Sequence, residues 1–179
     1  MTNSADTVSI SARPSALRRV FEFPNPVNEY AARSTAGIVV VVSLAALAMG
    51  LLGGWGWPLW LIALGFWLRV AGGPRYSPAG RLAVHVIVPL LRKRRLVPGP
   101  PKRFAQTIGA VLSTAAAALW TVGLVPGAWG LLGLLIVAAS MEAFAGFCLG
   151  CWLFGRLQAV GLIPEGVCEA CSNLALRRS

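Results

Sequence analysis

Charged residues are scarce in this sequence, and acidic residues are scarcer than basic ones. Only 12% of the residues are charged, whereas 56% are hydrophobic. A soluble globular domain carries about 25% charged residues, so this composition excludes that class. Two stretches, 34–68 and 104–154, contain almost no charge, and a spanning helix needs about 20 apolar residues. The sequence therefore predicts an integral membrane protein.

Motifs for nucleotide binding and hydrolysis are absent from the sequence. It contains no P-loop, no dinucleotide fingerprint and no serine–histidine constellation, so those activities have no support. We interpret the single histidine, His85, as an interfacial side chain rather than a metal ligand. Residues 1–27 lack the basic start and apolar core of a secretory signal. We interpret them as a flexible cytoplasmic tail.

Four transmembrane helices are predicted, arranged as two repeated helical hairpins. Glycine, proline and tryptophan mark turns at 53–58 and 126–130, since Gly and Pro stop helices and Trp favours the membrane interface. The predicted spans are 36–52, 58–71, 106–125 and 129–147. The second is short because Arg69 ends it. The predicted fold is thus an all-α transmembrane domain at 28–157, with an interfacial helix after each hairpin and a cytoplasmic tail at 158–179.

The basic residues predict the orientation of these helices. All sixteen Lys and Arg residues lie on one predicted side, so the positive-inside rule places both termini in the cytoplasm of a multi-pass protein. The cluster Arg92, Lys93, Arg94 and Arg95 is expected to contact anionic lipid headgroups, at about 1 kcal/mol per residue. The charge of +10 comes with no nucleic-acid recognition motif. We therefore expect an anionic bilayer, and no nucleic acid, as the partner of this charge.

The four cysteines form two C-x-x-C pairs near the end of the chain. Cys148 and Cys151 make the first pair, and Cys168 and Cys171 make the second. This spacing allows either one tetrahedral zinc site or reversible disulfides. Because cytosolic thiols are kept reduced, a permanent disulfide is not expected on that side. Metal binding and redox exchange both stay open.

An internal repeat gives the first pair two alternative settings. At an offset of 74 residues, Gly53-x-Trp55-Gly56 matches Gly127-x-Trp129-Gly130, and Cys151 aligns with Ser77. If the fourth span breaks at Gly146 or Gly150, the pair lies at a helix N-terminus and Cys151 is the more activated thiol. If that span is unbroken, the pair lies near a helix C-terminus and should react slowly.

Glu142 is the one charged residue deep inside a predicted span, where a carboxylate is costly and usually functional. It could line a proton or cation path. Alternatively, it is a protonated acid that hydrogen-bonds a hydroxyl of a neighbouring helix, the candidates being Thr107, Ser113, Thr114 and Thr121. Helical spacing makes Glu142 a poor partner of the thiols unless the helix breaks between them.

The string Gly146-Phe147-Cys148-Leu149-Gly150-Cys151, after two helical hairpins, resembles a family of small bacterial four-span membrane proteins known as domain of unknown function 4395. The resemblance covers 28–157. It implies a bacterial plasma membrane location and an unassigned activity, with a loose association with thioredoxin-like or sulfurtransferase partners. The segment 163–171 resembles an extension found in an actinobacterial-type subset.

Three functional hypotheses follow. The leading one is thiol redox or sulfur handling on the cytoplasmic face, with Cys148 and Cys151 as catalytic residues and the second pair exchanging equivalents with a soluble partner. The alternative is a structural zinc site, in which zinc is held by Cys148, Cys151, Cys168 and Cys171. The second alternative is a homo-oligomeric transporter or channel component that uses Glu142. The sequence leaves enzymatic activity undecided.

Overall fold

The computed structural model describes residues 26–92 and 95–164 of the chain, and most of these are helical. The helices are α1 (Glu29–Gly53), α2 (Pro58–Gly72), α3 (Pro78–Leu82), α4 (Val88–Leu91), α5 (Gly99–Thr121), α6 (Val125–Ser140) and α7 (Leu149–Ala159). A 3₁₀ turn covers Gly73–Arg75, and π-helical segments cover Ala83–Ile87 and Met141–Ala145. Two short strands are β1 (Val27–Asn28) and β2 (Leu96–Val97).

Within the described residues, three helices are long and apolar enough to cross a membrane. They are α1 with 25 residues, α5 with 23 residues, and the 21-residue run Val125–Ala145, which joins α6 to its π-helical continuation. Helix α2 has 15 residues, which corresponds to about 22 Å and is less than the roughly 30 Å of a hydrocarbon core. The prediction of an unusually short second helix is confirmed.

Local sequence signals explain where these helices begin and end. The Asn28 side chain accepts a hydrogen bond from the Tyr30 backbone N–H and caps α1, as asparagine often does. Gly54, with φ 67°, ends the same helix because glycine adopts the left-handed conformation at little cost. Pro58 occupies the first turn of α2, a position where its missing N–H is not needed. The first predicted turn is therefore confirmed.

The second predicted turn was misplaced. The chain turns at 122–124, with Gly123 at φ 83°, whereas Pro126 and Gly127 belong to the first turn of α6. Proline favours the first turn of a helix as well as the turn before it, so the sequence signal was ambiguous. Helices α1 and α5 also begin earlier than the predicted spans, at Glu29 and Gly99, because first turns that contain charged residues continue the helix outside its apolar part.

Helix α5 lies at the centre of the packing. It contacts α2 on one side, α6 on another and α7 near its start, while α1 packs mainly against α6. Alanines at the contacts, including Ala110, Ala116 and Ala117, are fully buried. Small residues let helix backbones approach closely where lipid provides no hydrophobic drive between helices. The bundle therefore depends on close contacts made by small side chains.

A two-stranded antiparallel ladder joins the starts of α1 and α5, an element that the all-α prediction lacks. Val27 pairs with Val97 and Asn28 with Leu96. The Glu29 carboxylate also lies 3.2 Å from the Arg95 guanidinium. This end of the bundle, where α1 and α5 begin and α2 ends, carries Arg33, Arg69 and Lys102 and is called the basic end below.

Part of the predicted chemistry lies outside the described residues. This applies to Lys93 and Arg94 of the lipid-binding cluster, to Cys168 and Cys171, and to most of both tails. Of the remaining cluster residues, Arg92 ends α4 with φ 50° and Arg95 is paired with Glu29. Lipid contact by this cluster stays a prediction.

Substituting Gly109→Ala should destabilise the bundle. A Cβ at Gly109 would collide with the ring of Phe66, whereas a Cβ at Gly65 on α2 meets nothing within 4 Å. Both changes gain similar helix propensity, so Gly65→Ala is the control. We expect Gly109→Ala to be less stable than this control by about 1–3 kcal/mol, measured by unfolding in detergent micelles. Equal stabilities would contradict a tight contact between α2 and α5.

Candidate functional site

The third apolar run breaks just before the first cysteine pair. Gly146 has φ 68° and ends the π-helical segment Met141–Ala145. Helix α7 then starts at Leu149, with Cys148 as its N-cap. Of the two settings that the sequence allowed, the break at Gly146 is confirmed. The pair lies at a helix N-terminus, where the helix dipole favours negative charge.

The two sulfur atoms of this pair face each other. The Cys151 thiol donates a hydrogen bond to Cys148 Sγ at 2.7 Å, and the Cys151 backbone N–H donates to the same sulfur at 3.4 Å. Both cysteines are free thiols. Cys148 is buried and Cys151 is half-buried. Cys148 is therefore the acceptor of both hydrogen bonds and is the better placed of the two to carry negative charge.

A buried ion pair lies next to the thiols. Lys102 Nζ, in the first turn of α5, lies 2.5 Å from Glu142 Oε1, in the π-helical segment after α6. Their side chains are only 10% and 19% exposed. A charge in such a place is tolerated when it is paired. This pair joins the start of α5 to the end of the third apolar run, directly beside Cys148.

The surroundings of the two thiols shift their pKa values in opposite directions. The hydrogen bond from Cys151, together with the positive charge of Lys102, lowers the pKa of Cys148 despite burial and the charge of Glu142. The same hydrogen bond and burial raise the pKa of Cys151. The sequence prediction that Cys151 is the more activated thiol was wrong, because the N-cap sulfur receives the hydrogen bonds.

The basic residue Arg69 is also buried, with 7% of its surface exposed. Its Nη2 donates to Ser77 Oγ at 3.4 Å, and its guanidinium lies 5.1 Å from the Phe66 ring centre. Its Nε atom has no hydrogen-bond partner among the described residues. With Lys102 and Glu142, it gives the site two cations and one carboxylate, an excess of one positive charge when both thiols are protonated.

Arg33 of α1 holds the chain just ahead of the break. Its Nε donates to the Ala143 carbonyl at 3.2 Å and its Nη2 donates to the Phe144 carbonyl at 2.8 Å. These carbonyls come where the helical hydrogen bonding ends, and such groups need other partners. Arg33 therefore fixes the segment that leads to Cys148. The sequence gave no sign of this role, since Arg33 looked like one of many basic residues near the N-terminus.

The predicted partner of Glu142 was wrong. Its partner is Lys102, whereas the hydroxyls proposed for it donate to backbone carbonyls of α5 instead: Thr107 to Arg103, Ser113 to Gly109, Thr114 to Ala110 and Thr121 to Ala118. A hydroxyl within a helix readily bonds to the carbonyl one turn earlier. The missed signal was Lys102 itself, a cation at the start of an apolar run.

Two of the four predicted metal ligands lie outside the described residues. Within 26–92 and 95–164, no group of three or more His, Cys, Asp or Glu side chains is placed to hold a metal ion. Because Cys168 and Cys171 belong to the other part of the chain, the four-sulfur zinc site stays a prediction.

Comparison with known families assigns the chain to one of them. The family described as domain of unknown function (DUF4395) matches residues 27–159. The chain belongs to this family. The match confirms the resemblance seen in the sequence, and the matched range includes the whole candidate site, from Arg33 to Cys151. No curated protein and no solved structure matches the chain.

Substituting Gly150→Ala should disturb the candidate site without changing any of its polar side chains. A Cβ at Gly150 would lie 2.5 Å from Ala105 Cα, so α7 must move away from α5. Gly155→Ala on the same helix meets nothing within 4 Å and is the matched control. We expect slower alkylation of Cys148 at neutral pH in Gly150→Ala alone, because the thiol moves away from Lys102. Equal alkylation rates in the two variants would contradict close packing at Gly150.

Two substitutions should shift the pKa of Cys148 in opposite directions. Lys102→Met removes a cation and should raise this pKa, whereas Glu142→Gln removes an anion and should lower it. The measurement is the alkylation rate of Cys148 against pH, with the modified peptide identified by mass spectrometry. The rate rises as the thiolate forms, so the rise should come at higher pH in Lys102→Met and at lower pH in Glu142→Gln.

Lys102→Arg keeps the charge and serves as the control for that experiment. Its profile should stay close to that of the unmodified chain. Shifts in the same direction for Lys102→Met and Glu142→Gln would mean that general disruption of the site, rather than local charge, sets the reactivity of Cys148.

Proposed function

We propose that the chain is a membrane thiol oxidoreductase in which Cys148 and Cys151 form and break one disulfide. The observation that carries this proposal is the contact between the two sulfurs at the start of α7, where Cys148 accepts both the thiol and the backbone hydrogen bonds of Cys151. Dithiol motifs of redox proteins lower the pKa of one thiol in the same way. The neighbouring Lys102 adds a positive charge that favours the Cys148 thiolate.

The exchange step follows from the different settings of the two sulfurs. In the oxidised chain, a thiolate of a partner dithiol attacks Cys151 Sγ, which belongs to the more exposed residue. The Cys148–Cys151 bond breaks and Cys148 leaves as the thiolate. The second partner thiol loses its proton to water and attacks the partner sulfur of the mixed disulfide, and Cys151 leaves and takes up a proton. Two electrons pass from the partner to the chain.

The better leaving group in this step is the thiol with the lower pKa. Cys148 meets this requirement, because Cys151 and Lys102 stabilise its thiolate. Attack at Cys151 is therefore favoured by both access and leaving-group stability. In the reverse reaction, the Cys151 thiolate attacks a partner disulfide, and the Cys148 thiolate then attacks Cys151 Sγ of the mixed disulfide and releases the partner dithiol.

The second pair, Cys168 and Cys171, is proposed to carry reducing equivalents between this site and a soluble thioredoxin-like or sulfurtransferase partner. Both residues lie outside the described part of the chain. Their place in the sequence, after α7, puts them within a short tether of Cys151. A thiolate of these cysteines could also attack the outer sulfur of a partner persulfide, which becomes the cysteine's persulfide sulfur while the partner leaves as a thiolate, so sulfur handling belongs to the same proposal.

The proposed setting is a bacterial plasma membrane, with α1, α2, α5 and α6 as four spans and both termini in the cytoplasm. The positive-inside rule supports this orientation. Crossing by the short α2 requires a local thinning of the bilayer. A repeat of two hairpins is supported by the matching N-cap roles of Ser77 and Cys148, each at the start of the helix that follows a hairpin. This pairing replaces the alignment of Ser77 with Cys151.

The proposal predicts a reversible disulfide between Cys148 and Cys151. In the variant Cys168→Ser/Cys171→Ser, purified anaerobically, oxidised thioredoxin should remove two reactive thiols per chain, and dithiothreitol should restore them. Thiols are counted with a maleimide and the linked peptide is identified by mass spectrometry. Adding Cys148→Ser should abolish the exchange while preserving the fold, since serine is also a good N-cap.

Elemental analysis of the unsubstituted chain separates this function from the zinc alternative. One zinc per chain with all four thiols protected would support a structural site closed by the four cysteines, which leaves no open position for catalysis. Absence of metal together with the reversible disulfide would support the oxidoreductase. The channel alternative has less support, because pairing with Lys102 accounts for the buried charge of Glu142.

A further inference from the structure

A cavity of about 320 Å³ lies beside Cys148. It is enclosed by the halves of α1, α2, α5 and α6 that lie at the basic end of the bundle. Ligand sites in proteins typically measure roughly 300–1,000 Å³, so this cavity has the size of a small ligand site. Arg69, Lys102 and Glu142 line it near the thiols. Its far part is apolar and reaches Leu112, about 15 Å further along α5 than Lys102 at 1.5 Å per residue.

The cavity is connected to the apolar outer surface of the bundle. Among its lining residues are Leu134 of α6 and Leu149 and Leu153 of α7, which are 51%, 42% and 37% exposed. Helices α6 and α7 both pack against α5 and have little contact with each other. A ligand can therefore reach the cavity from the lipid, and an apolar tail fits the composition of its walls.

The polar end of the cavity has unpartnered polar atoms and one more cation than anion. Besides Arg69 Nε, the side-chain oxygen of Gln106, another lining residue, is buried without a hydrogen bond. Arg69 is buried, and its Nε atom has no partner among the described residues. Leaving a buried donor unsatisfied costs about 1–3 kcal/mol. Arg69 and Lys102 together outnumber the one carboxylate, Glu142. The missing group is therefore an oxygen acceptor that carries, or can take up, negative charge.

The two thiols relate differently to this cavity. Cys148 lines it, whereas the lining does not include Cys151. Attack by a soluble partner at Cys151, the more exposed residue, leaves the electron pair on Cys148, which faces the cavity. A ligand beside a dithiol, with an apolar tail and acceptor oxygens that become negative, matches a molecule that accepts two electrons. A fatty acid would match the shape and charge of the cavity but could not accept electrons.

We propose that this cavity binds a membrane quinone, which accepts the two electrons of the Cys148–Cys151 dithiol. The inference rests on the proposed thiol oxidoreductase function and names the electron acceptor of that site. The isoprenoid tail occupies the apolar part of the cavity. Arg69 donates hydrogen bonds to one quinone oxygen, and Lys102 stabilises the negative charge that reduction creates. The chain would thus pass electrons from cytoplasmic thiols into the bilayer.

The transfer balances in atoms and electrons. The Cys148 thiolate attacks a carbon of the quinone ring and forms a carbon–sulfur bond, and a ring oxygen takes up a proton. The Cys151 thiol loses its proton to water and attacks Cys148 Sγ. The carbon–sulfur bond breaks, its electron pair stays with the ring, and the second oxygen takes up a proton. The net change is one dithiol to one disulfide and one quinone to one hydroquinone.

Binding is tested separately from electron transfer. In the variant Cys148→Ser/Cys151→Ser/Cys168→Ser/Cys171→Ser, which has no thiol to react, a short-chain ubiquinone should bind at one molecule per chain, measured by equilibrium dialysis against matched detergent micelles. Arg69→Gln in this background should weaken binding at least tenfold, while Arg81→Gln, an exposed cation near the same end, should not. Ala36→Leu places a larger side chain in the apolar lining without changing any charge and should also weaken binding. This second variant tests the cavity independently if Arg69→Gln does not fold.

Electron transfer is then measured with the reactive pair present. Reduced Cys168→Ser/Cys171→Ser should convert one ubiquinone to hydroquinone for each disulfide formed under anaerobic conditions, followed by the loss of quinone absorbance. If quinone does not bind the variant used for the binding test, in which Cys148 and Cys151 are serine, while dithiol exchange with thioredoxin proceeds in the reactive chain, the quinone proposal is wrong and the oxidoreductase proposal stands. If quinone binds but the thiols exchange with no partner and reduce no quinone, both the oxidoreductase and the electron transfer are wrong.

Discussion

The ion pair between Lys102 and Glu142 is the interaction on which the site depends. It joins the first turn of α5 to the π-helical end of the third apolar run, and both side chains are largely buried. Removing one partner of a buried pair leaves the other charge unsatisfied and is strongly unfavourable. The pair therefore fixes the relative position of these two segments and holds a cation beside Cys148.

A helix break makes the same region suitable for thiol chemistry. If the third apolar run continued past Gly146 without a break, Cys148 would lie on a continuous helix and its sulfur could not cap a new one. The left-handed Gly146 and the two hydrogen bonds from Arg33 end the first helix. Cys148 then begins α7. The cost of the break is offset because its exposed backbone groups find partners, as they must at membrane depth.

Charge and apolar surface meet in one cavity at the basic end. Arg69 and Lys102 approach it from α2 and α5, Glu142 from the π-helical segment and Cys148 from the N-terminus of α7. The excess of one cation is balanced when Cys148 ionises, so the buried charges and the reactive sulfur stabilise each other. A pair of adjacent thiols, long apolar helices and a cavity with partly exposed apolar lining are thereby combined in a single small bundle.

The sequence alone determined the membrane character, the helical fold and the short second helix, because composition and local spacing set these features, and the string 146–151 pointed to the family. It did not identify Lys102 as the partner of Glu142, the capping role of Arg33, the burial of Arg69 or the order of the two thiol pKa values. The first three depend on residues that are distant in sequence, whereas the order of the pKa values depends mainly on which sulfur caps α7. Arg33 and Ala143 are 110 residues apart, and Lys102 and Glu142 are 40 apart. Only the packing of α1, α5 and α6 brings them together, since helix periodicity specifies which residues share a face and not which face meets which.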